Sequence, residues 1–260
     1  MLQKHLLETA WGFKSLCRHR YRKEDEMGFS IITNFGCTKK CSYCVWRNKP
    51  HPLKDLRTTN ENTDWDRLLW YASDYDKISV SGGGDPLNEF DENKEWWNHL
   101  IENYRGKIDV HTALVLPVIA FMDKVVIHLD YDRFCDEMIR ERIEKMVTKV
   151  RLTFVLTTDL TLEKVNKIID YGVERDFQVS FREEYFSWSD RIERGFDHGA
   201  SIQDVMLNSI TDQTKGFIEA YRRVHPKGKL VKFVAQDNYN IYFMPDNHIY
   251  SDFFCNNRIV

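Results

Sequence analysis

The sequence predicts an open α/β fold, a partial (β/α)6 barrel with a short C-terminal α+β extension, on three observations. Six short β-rich runs recur between residues 29 and 185, and helical patterns separate most of them. A cysteine-rich stretch follows the first run and a glycine-rich stretch follows the second. Strands that alternate with helices pair in parallel through right-handed crossovers. Six units are too few to close an eight-fold barrel.

The elements read in order as follows. "FSIITNF" (29–35), "KISVSGGG" (77–84), "KIDVHTAL" (107–114), "KVVIHLD" (124–130), "KVRLTFVLTT" (149–158) and "FQVSFREEY" (177–185) are rich in Val, Ile, Phe and Thr and read as strands. "DENKEWWNHLIENY" (91–104) carries Trp96, Trp97, Leu100, Ile101 and Tyr104 at helical spacing. "RFCDEMIRERIEKMV" (133–147) and "TLEKVNKIIDYG" (161–172) do the same, the latter with Thr161 as a cap and Gly172 at its end. Residues 201–225 read as one or two helices, and "KLVKFVAQ", "NIYFM" and "HIYSDFF" as an antiparallel section with "PDN" as a turn. The expected organisation is an N-terminal helical segment (1–28), a partial-barrel core (29–200) and a C-terminal helix with antiparallel strands (201–260), in the same domain or as a cap.

Composition narrows the function. The 260 residues carry a net charge of −3, and no strongly basic face marks a dedicated nucleic-acid binder. The longest apolar run, "ALVLPVIAF" (113–121), is too short to span a bilayer. "MLQKHLLETAWG" lacks the sections of a signal peptide, so a soluble cytoplasmic protein without membrane partners is expected. Six cysteines are too few for a disulfide scaffold in a chain of this length. Cys17, Cys135 and Cys255 are isolated and read as core or surface residues.

Cys37, Cys41 and Cys44 are spaced CxxxCxxC in "GCTKKCSYC". Three chemistries use such a set. A structural zinc site could take Cys41 and Cys44 with His51 completing a Cys3His set. Disulfide exchange needs only a CxxC pair and leaves Cys37 unexplained. An iron–sulfur cube held by three thiolates keeps one iron open for a reactant. The loop's place directly after a strand favours chemistry over a staple, because open α/β sheets build their sites at strand C-terminal ends.

These residues, with Tyr43 just before the last cysteine, resemble the radical S-adenosylmethionine (radical SAM) superfamily, whose core is a TIM-like partial barrel. The resemblance covers roughly residues 29 to 185. It implies one 4Fe-4S cluster on Cys37, Cys41 and Cys44, with the open iron chelated by the amine and carboxylate of S-adenosylmethionine. It further implies one-electron reduction of that cosubstrate to a 5′-deoxyadenosyl radical, which abstracts hydrogen from a substrate. "SGGGDPL" (81–87) resembles the family's glycine–glycine–acid motif, so Gly82, Gly83, Gly84 and Asp85 are expected at the amine, with Asp85 where Glu is usual. Glycines there permit close backbone approach and positive φ; a plain strand-to-helix turn is the other reading. Thr112 falls near where the family carries a cosubstrate Thr. His128 and Asp130 in "VVIHLDYD" match its fourth-strand pattern, with His in place of Ser; a core histidine is the other reading of His128. Arg182 is expected either to pair with a cosubstrate carboxylate or to form an exposed ion pair.

The scattered remaining cysteines imply a single cluster. Arg18, Arg20, Arg22 and Lys23, before the first strand, read as a solvated helix end or an anion contact. Trp46, Arg47, Lys49 and His51 line a pocket mouth or cover the loop. The expected substrate is a small metabolite or nucleotide. A peptide or protein, including a glycyl-radical activation partner, is the alternative, and a non-catalytic zinc-stabilised binding protein the remote one. An electron donor such as flavodoxin or ferredoxin is implied as a partner.

Overall fold

The computed structural model describes residues 28–116, 122–184, 202–234 and 240–259. The segment 1–27, with Cys17 and its basic cluster, lies outside the described residues.

Among the described residues nine strands form one sheet: β1 (Gly28–Thr33), β2 (Lys77–Gly82), β3 (Lys107–Thr112), β4 (Lys124–His128), β5 (Lys149–Leu156), β6 (Gln178–Glu183), β7 (Val231–Val234), β8 (Asn240–Phe243) and β9 (Ile249–Tyr250). Their order is β7-β6-β5-β4-β3-β2-β1-β8-β9. Every neighbouring pair is parallel except β8 and β9. The six expected strands thus stand in sequence order, as right-handed crossovers dictate.

The C-terminal section departs from its expected antiparallel form. β7 lies parallel to β6 at one end of the sheet, and β8 lies parallel to β1 on the other side. Only β8 and β9, joined through Pro245–Asn247, make a hairpin. Asn247 adopts a left-handed φ of 62° there. An antiparallel pair can be closed by a short turn; parallel addition needs a long crossover, which the helix at 202–224 supplies before β7.

Seven helices are described: α1 (Val45–Asn48), α2 (Trp65–Ala72), α3 (Lys94–Asn103), α4 (Tyr131–Cys135), α5 (Glu137–Glu144), α6 (Leu162–Glu174) and α7 (Ile202–Val224). The single helix expected over 133–147 is two. Asp136 breaks it by capping α5, its carboxylate accepting from Met138 N (2.9 Å) and Ile139 N (3.3 Å). Thr161 caps α6, but Gly172 does not end it. α6 runs on to Glu174, and Asp176 takes the left-handed position (φ 59°). Phe177 N then bonds Gly172 O (2.8 Å) and Asp176 N bonds Val173 O (3.4 Å), a Schellman closure. Gly172 is small for another reason: a Cβ there would run into Val179 of β6.

Alternation along each strand separates two faces. Phe29, Ile31, Ile78, Val80, Ile108, Val110, Val125, Ile127, Leu152, Phe154, Val179 and Phe181 face the helices and form the core with Trp96, Trp97 and Leu100 of α3 and Val165, Ile168 and Ile169 of α6. The other face carries Ser79, Asp109, His111, Lys124, His128, Arg151, Thr153, Ser180, Arg182 and Tyr242. It lines the lumen of the curved sheet. Among the described residues no helix is long and apolar enough to cross a membrane.

Candidate functional site

The cysteine loop leaves β1 at Thr33 and is tied down before its first cysteine. Asn34 N donates to Thr58 Oγ1 (2.9 Å), and the Asn34 amide donates to Lys54 O (3.0 Å) and Leu56 O (2.8 Å). Gly36 then turns the chain with φ 83°, a conformation that favours glycine. Cys37 is exposed, and Cys41 and Cys44 are half-buried. Cys41 and Cys44 act electrostatically on Cys37, and Cys44 on Cys41, so the three thiols lie within reach of one another. Burial, the largest influence, pushes the Cys37 and Cys41 thiols up, and the Lys39 N–H (3.3 Å from Cys37 Sγ) and the Tyr43 hydroxyl at Cys41 oppose it. Both donors favour thiolate. Tyr43 is thereby a neighbour of Cys41, and Asp130 and Arg133 act electrostatically on both.

The glycine turn after β2 packs directly on this loop. Gly83 N donates to Thr33 O (2.7 Å) and Asp85 N to Gly36 O (2.7 Å). A Cβ at Gly83 would strike the Trp46 ring, one at Gly84 the Gly36 backbone, and one at Gly82 the Gly84 carbonyl. None of the three has positive φ, so close approach alone requires glycine here.

Asp85 is 3% exposed. Its carboxylate accepts from Thr112 Oγ1 (2.6 Å), Ala113 N (2.7 Å) and Leu87 N (3.0 Å). Burial pushes its pKa up, against these three donors and the Arg133 charge. Thr112 shares the helix-facing parity of Ile108 and Val110 and turns to Asp85 rather than into the lumen. Asp130 caps α4, accepting from Arg133 N (2.8 Å). His128 faces the lumen beside His111, with nitrogens 3.5 Å apart. Burial and the Arg182 charge pull the His128 pKa down to about 3. Arg182 also faces the lumen and makes no ion pair among the described residues; burial lowers its pKa and the Tyr242 phenol opposes that.

The structure therefore gathers Cys37, Cys41, Cys44, Tyr43, Gly82, Gly83, Gly84, Asp85, Thr112 and Asp130 at the C-terminal ends of β1 to β4. His128 and Arg182 lie in the lumen. Arg133 is a site residue that motif reading missed. Its guanidinium donates to His128 O (3.3 Å) and to Ala113 O, and its charge reaches Asp85, Cys41 and Tyr43. Three residues after Asp130 on a short helix, it carries no motif signal.

His51 is committed elsewhere. Nδ1 accepts from Leu53 N (3.2 Å), so Nε2 carries the proton donated to Phe253 O (2.8 Å). Its ring lies 4.1 Å from that of Trp46, and Phe253 covers both. With both nitrogens engaged, His51 cannot complete a Cys3His zinc set. Among the described residues no three His, Cys, Asp or Glu side chains converge to hold a single metal ion.

No protein-family model matches the chain, and no curated protein matches it by sequence. Solved structures do match by fold. One is a histidine-tagged anSMEcpe with bound AdoMet, at TM-score 0.61 and 16% identity, covering 90% of this chain and 76% of that one. Another is Streptococcus suis SuiB bound to S-adenosylmethionine, at TM-score 0.59 and 14% identity, covering 88% of this chain. SuiB bound to the precursor peptide SuiA matches at TM-score 0.58 and 13% identity, covering 95% of this chain. The chain spans only 60% of SuiB in its S-adenosylmethionine-bound form. At these identities the likeness establishes the shared fold.

Proposed function

We propose that this chain is a radical SAM enzyme that modifies a peptide or protein. The observation that carries the reading is the gathering of three thiols and a glycine turn at the strand ends of an open parallel barrel, a fold shared with proteins that bind S-adenosylmethionine. The donor set fits a 4Fe-4S cluster with one iron left for the cosubstrate. Among the described residues no His, Asp or Glu joins the thiols in a group that could hold a single metal ion, His51 is engaged by backbone, and a zinc ion would draw its thiolates together around bonds of about 2.3 Å.

Cys37, Cys41 and Cys44 would hold the cluster, and Lys39 N–H and Tyr43 O–H would tune two of its sulfurs. When bound, the cluster would supply one electron to the sulfonium of S-adenosylmethionine, whose carbon–sulfur bond would break to methionine and a 5′-deoxyadenosyl radical able to take a hydrogen atom from the substrate. The backbone of Gly82, Gly83 and Gly84 would border the cosubstrate amine. Asp85 and Thr112 act behind it as positioning residues, fixing the turn and the end of β3. Asp130, Arg133 and His128 flank the space between the cysteine loop and the lumen, where ribose and carboxylate groups would bind. Flavodoxin or ferredoxin would supply electrons.

The substrate class follows the alternative rather than the small metabolite or nucleotide. SuiB has been solved with its precursor peptide on this fold, and that supports a peptide. Anaerobic reconstitution tests the assignment. About four irons per chain and reductive formation of 5′-deoxyadenosine are expected, both lost in Cys41→Ala. A Cys37, Cys41, Cys44 triple-alanine protein that still carries a four-iron cluster by Mössbauer spectroscopy would overturn the single-cluster reading.

A further inference from the structure

Among the described residues, the lumen holds a cation without a counter-ion. Arg182 stands on β6, one residue after the core-facing Phe181, and so points inward. Its side chain makes no hydrogen bond or ion pair among the described residues, and Glu183, the next acid along the strand, alternates to the other face. An unpaired guanidinium in a desolvated place is costly, so a site that keeps one has a use for it.

Arg151 of β5, on which the Arg182 charge acts, has the same sign and belongs to a wider group of cations. Lys77, Lys124, Arg151 and Lys232 come from β2, β4, β5 and β7 and repel one another. Among the described residues Asp109 is the acid that acts on this group: it lies 3.8 Å from Lys77 and also acts on Lys124 and Arg151. Arg151 is held by the Gln178 amide oxygen at 3.1 and 3.2 Å, a neutral partner. Burial keeps His111 and His128 uncharged.

On the side of the cysteine loop, the Arg182 charge acts on His128. The electrostatic partners of Arg182 are His111, His128, Arg151 and Tyr242. Tyr242 is on β8, six strand positions from β6. In a flat sheet that separation would be about 29 Å, at ~4.8 Å per strand. The curl of the sheet brings the phenol and the guanidinium together across the lumen.

We infer that Arg182 anchors a carboxylate of the substrate inside the lumen, so that the enzyme selects a substrate with an acidic group near the reacting carbon. This rests on the peptide-modifying reading and deepens it. A guanidinium grips a carboxylate with two parallel N–H···O bonds, which fixes orientation as well as position.

Isothermal titration of the reconstituted protein tests this without any turnover, and iron content separately tests the cluster. The probes are acetyl-Ala-Glu-Ala-amide, its Gln isostere, and free glutarate. The Glu peptide should bind at least tenfold tighter than the Gln peptide. Arg182→Gln should erase that preference, and Arg182→Lys should keep part of it, since a point charge retains attraction but not the two-pronged geometry. Equal binding of Glu and Gln peptides to the wild type would overturn the inference. So would a full preference surviving in Arg182→Gln, or a loss confined to S-adenosylmethionine affinity, which would return Arg182 to the cosubstrate. Tighter binding of glutarate than of the Glu peptide would keep the Arg182 anchor and reject the peptide reading. Circular dichroism checks folding of the variants; if the Gln variant does not fold, the wild-type preference and the Lys variant decide the outcome.

Discussion

Thr112 donates its hydroxyl to Asp85 across 2.6 Å and so joins the end of β3 to the turn after β2. The same hydroxyl accepts from Leu114 N at 2.9 Å. Thr112→Val keeps the shape and removes both bonds, leaving a buried carboxylate short of a donor. It should lower the unfolding free energy by roughly 1–3 kcal/mol. Urea denaturation measures this, and an unchanged midpoint and slope would show that the bond contributes nothing.

Gly83 and Trp46 are the contact through which the glycine turn braces the cysteine loop. Gly83→Ala should push the Trp46 ring aside and reduce iron incorporation by displacing the loop. Trp46→Leu, added to Gly83→Ala, should recover part of the loss, because the smaller side chain yields to the new methyl. Iron assays on the two single variants and the double variant form a coupling cycle; strictly additive losses would contradict the contact.

His51 supports the loop without ligating metal. His51→Gln should remove one of its two backbone bonds and cost about 1–3 kcal/mol of stability. Iron per chain, measured after reconstitution, should stay at the wild-type level. A zinc site completed by His51 would instead lose its metal.

His128 makes the fold sensitive to acid. Its folded pKa lies near 3, below the ordinary value of 6.5. Between those values the unfolded chain binds the proton and the folded one does not, so stability is present above pH 6.5 and falls as pH drops. At pH 5 this one group costs about 2 kcal/mol, a fall of several degrees in the thermal midpoint. His128→Gln should flatten the decline between pH 7 and pH 5. An equally steep decline in that variant would assign the acid sensitivity to other groups.

The sequence by itself determined the repeating architecture and the location of the candidate chemistry. Period-two runs separated by period-3.6 runs are local signals, and they marked β1 to β6 and the helical segments after β2, β4 and β5, but not α1 and α2 between β1 and β2. The Cys37, Cys41 and Cys44 spacing and the Gly82–Gly84 turn are local as well, because each is made within one loop. Tertiary structure alone decided which way the motif residues face. Asp85 is buried against Thr112 from another strand, and Arg133 enters the site from a helix without a motif. His51 gives the proton that Leu53 N leaves on Nε2 to Phe253 O, about two hundred residues away in the chain. The curl of the sheet was equally invisible, and it puts Arg182 opposite Tyr242. Strand order and side-chain partners depend on non-local pairing, whereas periodicity and spacing report only on each residue's near neighbours.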